Sequence, residues 1–125
     1  VSRGRLLSLG ALAVVFIGAG VMHFVRPEPF EKIVPPALPA KRALVYWSGV
    51  AEILGGLGLL FRRTRKAAGW GLVALLAAVF PANVYMATAA ERFAAMAPAW
   101  ALWARLPLQP LLMFWVWATA VRERS

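Results

Sequence analysis

ALVYWSGVAEILGGLGLLF, residues 43–61, is the stretch that decides the fold. It carries one charged side chain, Glu52, and is bounded by Lys41-Arg42 before it and Arg62-Arg63 after it. At 1.5 Å rise per residue such a run covers roughly the 30 Å of a bilayer's hydrocarbon core. In lipid no water satisfies an open backbone, so the run must be helical. Outward from it lie three more apolar runs: 6–25, closed by Arg26-Pro27; 67–90; and 101–121, before Arg122-Glu123-Arg124. The expectation is an all-α, four-transmembrane-helix bundle forming a single domain over 1–125, with a Pro-rich outer loop between helices 1 and 2. Arg3 and Arg5 before the first run give it the look of a leader. The run is too long for a typical one and no small-x-small cleavage pattern follows, so a retained helix is expected.

Composition agrees. The chain has 125 residues, 62% hydrophobic and 15% charged, more apolar surface than a soluble domain of this size can hide. It contains no cysteine, which excludes disulfides, thiol redox chemistry, haem attachment and Cys-ligated zinc. The net charge of +9 suggests nucleic acid only in a soluble protein; here the cations sit at helix ends, where membrane topology explains them.

With four crossings, one face carries Arg3, Arg5, Arg62, Arg63, Arg65, Lys66, Arg122 and Arg124. The other has Arg26, Lys32, Lys41, Arg42, Arg92 and Arg105, with Glu28, Glu31 and Glu91 beside them. The bias, and above all the cluster 62–66, places both termini in the cytoplasm of a multi-pass inner-membrane protein. Trp47, Trp100 and Trp103 then fall near outer helix ends and Trp70, Trp115 and Trp117 near inner ones, two interfacial belts. Segment 26–42 holds Pro27, Pro29, Pro35, Pro36 and Pro39. A long helix is not expected there, though a turn over 28–34 is compatible, and Phe30, Ile33, Val34 and Leu38 suit a segment lying on the membrane or capping the bundle.

Four polar residues carry whatever chemistry there is. Glu52 is nine residues from either end of 43–61, near the midplane, where a carboxylate costs several kcal/mol unless it is paired, protonated or wetted. It reads as a binding group or as a structural carboxyl bonded to a neighbouring helix. Ser48, Glu52 and Gly56 share one helical stripe, and with Gly49, Gly55 and, on the first helix, Gly20, they mark close helix packing. His23 ends the first run; a lone histidine there is more often an interfacial hydrogen-bonder than a base. Asn83 follows Pro81, and Gln109 lies between Pro107 and Pro110; interhelical bonding is the ordinary role of both amides. Alternating helix directions put all four in the outer half, with Tyr46 and Tyr85 above them and Arg105 within reach of Glu52. An outward-opening polar pocket shared by His23, Glu52, Asn83 and Gln109 is therefore expected, with no comparable polar set in the inner half. His23 and Glu52 supply too few ligands for a metal, and no catalytic triad is visible.

Gly20-Val21-Met22-His23-Phe24 running into Pro27, Ile33-Val34-Pro35-Pro36, Leu38-Pro39, the segment 48–60 and Phe80-Pro81-Ala82-Asn83-Val84-Tyr85-Met86 together resemble the DoxX-like family of small four-helix membrane proteins. The resemblance covers most of 18–86, and the last third matches only in hydropathy. It implies a four-helix bundle and picks out His23, Glu52 and Asn83. The family includes a subunit of a thiosulfate:quinone oxidoreductase and the animal receptor-assembly chaperone NACHO. Dithiol catalysis by this chain alone is excluded by its lack of cysteine. Two functions follow as expectations: a non-catalytic module that binds another membrane protein or a second copy, as assembly factor or accessory subunit; or a quinone- or lipid-binding subunit of an oxidoreductase complex.

Overall fold

In the computed structural model, which describes residues 2–34, 39–94 and 98–122, the chain is all-helical. Pro35, Pro36 and Leu38 of the Pro-rich segment, and Glu123 and Arg124 at the C-terminus, lie outside the described residues. Helix α1 runs Arg3–Val25, α2 Pro27–Ile33, α3 Lys41–Leu60, α4 Arg65–Thr88 and α5 Ala99–Val116. A 3₁₀ turn, Ala90–Phe93, follows α4, and a π-helical turn, Trp117–Val121, continues α5.

Each of the four long helices starts ahead of its apolar run. α1 starts at Arg3, since the Ser2 hydroxyl accepts from the Arg5 amide at 3.1 Å and satisfies an orphan donor. The first half of the expected loop is also helical. Pro27 stands at the first position of α2, where a missing N–H costs nothing and the fixed φ is already helical. Glu28 in its first turn and Lys32 in its last suit the helix dipole. The chain enters α3 through Ala40 at φ 53, the left-handed region that a residue with a Cβ seldom occupies.

Neighbouring helices run antiparallel, α1 against α3, α3 against α4 and α4 against α5, while α2 lies across the end of α1, α3 and α4. Glycine sets the closest contact. A Cβ built on Gly20 would stand 2.6 Å from the Gly49 carbonyl oxygen, and one on Gly56 would stand 2.8 Å from Ile17 Cγ1. α1 and α3 therefore meet backbone to backbone. Gly55 faces α4, where Leu72 fills the space that a side chain would take. Ser48 is half-buried. The main core lies towards the end opposite α2 and gathers Leu9, Leu12, Phe16, Leu59, Leu72, Leu76, Val116 and Ala120. A smaller one, Met86, Ala87, Phe93 and Leu102, joins α4 to α5 near the α2 end.

Among the described residues three helices are long and apolar enough to cross a membrane: Arg3–Val25, Lys41–Leu60 and Arg65–Thr88. α5 is interrupted by Arg105, Pro107, Gln109 and Pro110 and is not one of the three.

Candidate functional site

Gly20 and Gly49 bring α1 and α3 so close that the next turn of each presents its polar residue to the other. His23 Nδ1 lies 2.6 Å from the Ala19 carbonyl oxygen and 3.4 Å from Glu52 Oε2. The shorter contact is a hydrogen bond, and a carbonyl only accepts, so Nδ1 carries the proton and donates it to Ala19. Glu52 Oε2 therefore receives nothing from the imidazole. It is buried without a hydrogen-bond partner. Phe30 of α2 stacks on the His23 ring, centroids 3.9 Å apart and planes 19° from parallel. The side chains of His23 and Glu52 keep 9% and 13% of their exposure, so the pair sits under α2 and is nearly shut.

The second polar pair joins α4 and α5. The Asn83 amide donates to Gln109 Oε1, and Gln109 Nε2 donates to the Leu76 carbonyl at 2.6 Å. Leu76 is next to Ala77, whose carbonyl loses its usual donor because Pro81 has no N–H. Both amides are buried. Gly55 packs on Leu72, and in antiparallel register that sets Glu52 opposite the turn of α4 that follows Leu72. The two pairs thus share one region of the bundle. No direct hydrogen bond joins them: the Asn83 amide bonds Gln109, whose own N–H₂ then reaches the carbonyl beside the proline break.

The remaining expected site residues are arranged around this centre. Tyr46 stacks on Phe24 at 5.1 Å. Tyr85 meets Phe93 edge-on, and its hydroxyl accepts from Arg92 Nη1 at 2.7 Å. Arg105 is exposed on α5 and makes no ion pair with Glu52, which has His23 beside it instead. Sequence reasoning assigned no polar set to the opposite end, and there the structure differs. The Ser8 and Thr119 hydroxyls hydrogen-bond at 2.9 Å, Trp115 Nε1 donates to Ser8 Oγ at 2.7 Å, and Arg5 Nε donates to the Thr119 carbonyl at 2.9 Å. Among the described residues no group of three or more His, Cys, Asp or Glu can hold a metal.

A family profile matches residues 12–120, which include both polar pairs. The chain belongs to that family, described as "Domain of unknown function (DUF8561)". No curated protein and no solved structure matches it. The DUF8561 match also takes in Gly20, Gly49, Phe30 and Thr119, and leaves Arg5 and Ser8 outside.

Proposed function

We propose that the chain is an integral membrane protein of four crossings that acts as a non-catalytic binding module, with Glu52 as its recognition group. The observation that carries this reading is the buried Glu52 oxygen without a partner. Such an atom costs about 1–3 kcal/mol, more if charged, until a donor arrives. A purely structural carboxyl would have found one among the helices that enclose it.

Membrane residence is supported by the surface. Leu7, Val14, Leu54, Trp47 and Trp100 are each more than 60% exposed, a poor face for water and a good one for lipid. A fourth crossing by α5 is supported by the contact between Arg5 and Thr119, since three crossings would separate the start of α1 from the end of α5. The partner is another membrane protein, or a second copy, and the role that of an accessory subunit or assembly factor. Kinship with DoxX-like proteins is proposed on His23, Glu52 and Asn83. One observation favours a second reading: the Phe30–His23 stack closes over Glu52, an enclosure that suits a small apolar molecule such as a quinone or lipid, serving chemistry on another subunit, better than a partner helix.

Gentle extraction followed by mass spectrometry separates the two. A stoichiometric membrane protein lost from Glu52→Leu supports the first reading, and a quinone or lipid lost from it supports the second. If everything that copurifies with the wild type stays with Glu52→Leu, Glu52 is not the recognition group.

A further inference from the structure

We infer that α2 is a latched cover over the Glu52 carboxyl, closed by the stack of Phe30 on His23 and held shut by the ion pair of Glu31 with Arg42. The inference rests on Glu52 as the binding group and concerns how that group is reached.

The contacts form one continuous path. Phe30 stacks on His23 at 3.9 Å, and His23 stands 3.4 Å from Glu52 Oε2. Pro27, at the start of α2, is buried. On the exposed side of α2, Arg42 Nε donates to Glu31 Oε1 at 3.2 Å and Nη2 to Oε2 at 2.8 Å. This forked geometry fixes the orientation of α2 against the first turn of α3. Both partners stay solvated, so the latch holds the cover weakly. The helix is also bounded by joints: Arg26 at φ −137, ψ 76 before it and Val34 at φ −68, ψ 126 after it are both non-helical. α2 can therefore turn as a rigid piece about its ends, and among the described residues the aromatic stack it would break is the one over the carboxyl. A cover of this kind reconciles an unpartnered carboxyl oxygen with a site that must receive a molecule.

The test uses the full chain in its own membrane and an apolar carbodiimide, which adds a carboxyl O–H across one of its C=N bonds and leaves a mass tag. Peptide mass spectrometry reads the rate at Glu52 separately from Glu28, Glu31 and Glu91. Arg42→Gln and Glu31→Gln should each raise that rate about twofold to fivefold. The exchanged pair Glu31→Arg with Arg42→Glu should bring it back towards wild type. Phe30→Ala should raise it by roughly tenfold, since it removes the cover's contact itself. Equal rates in wild type, Arg42→Gln and Phe30→Ala would mean that the carboxyl is reached sideways between helices, and α2 would not be its cover. The labelling depends only on access. A failure of Glu52 to bind anything appears instead in the copurification of Glu52→Leu, so the two ideas fail separately.

Discussion

Glu52 has one oxygen near His23 and no donor for it. Replacing a buried acid by an apolar residue is often neutral or stabilising, because the desolvation cost disappears with the charge. Glu52→Leu is therefore expected to fold and melt at or above the wild-type temperature in detergent while losing its bound molecule, and Glu52→Gln to keep the fold. If Glu52→Leu unfolds while Glu52→Gln behaves as wild type, the carboxyl is structural. Gly20→Ala should act in the opposite way. The new methyl would stand 2.6 Å from the Gly49 carbonyl oxygen, backbone that has no rotamer to give, and destabilisation of about 1–3 kcal/mol is expected by thermal unfolding. Residues such as these were legible because a charge or a run of glycines inside an apolar stretch is conspicuous. Their partners were not. Asn83 had Glu52 and Gln109 within plausible reach, and only the side-chain placement decided for Gln109. Ser8 and Thr119 gave no signal, since a hydroxyl in an apolar helix usually bonds its own backbone and marks nothing.

At the scale of elements, the pairing of α4 with α5 and the docking of α2 are separately testable. Asn83 and Gln109 bond across two proline-broken helices, so a double-mutant cycle of Asn83→Ala with Gln109→Ala should return about 0.5–1.5 kcal/mol of coupling in unfolding. A value near zero would mean that each amide bonds independently to freed carbonyls. For α2, Arg42 beside Glu31, aided by Lys41, holds the Glu31 carboxyl below its ordinary 4.5. A depressed folded value means that the pair supports docking in full above pH 4.5, and that this support fades as the pH falls through the lower value. A fluorine label on Phe30 reports it: the shift caused by the His23 ring should persist from neutral pH to about 4.5 and diminish below it, and Arg42→Gln should diminish it already at neutral pH. No change with Arg42→Gln would show that the stack alone holds α2. The sequence allowed a turn over 28–34 and spoke against a long helix, and the seven-residue α2 falls between the two. Proline breaks helices from within but starts them well, and both Pro27 and Pro29 fall in the first turn.

For the whole molecule, the distribution of charge fixes the expected orientation. Arg5 is tied to Thr119, Gly69 packs on Val121, and Thr64 donates to the Gly58 carbonyl, so the start of α1, the turn between α3 and α4 and the end of α5 form one end. That end carries Arg3, Arg5, Arg62, Arg63, Arg65, Lys66 and Arg122, and among the described residues no carboxylate. Glu28, Glu31 and Glu91 lie at the α2 end. Lys and Arg are retained on the cytoplasmic side during insertion, so the more basic end should be cytoplasmic and α2 should face outward. Because the chain has no cysteine, single cysteines at Ser2, Lys32, Thr64 and Arg122 report each position without background. With an impermeant thiol reagent on intact cells, Lys32→Cys should label, and Ser2→Cys, Thr64→Cys and Arg122→Cys should label only after the membrane is opened. Labelling of Thr64→Cys but not Lys32→Cys in intact cells would invert the orientation. Labelling of Arg122→Cys without Ser2→Cys would leave three crossings in place of four, and would break the contact between Arg5 and Thr119 on which the fourth depends.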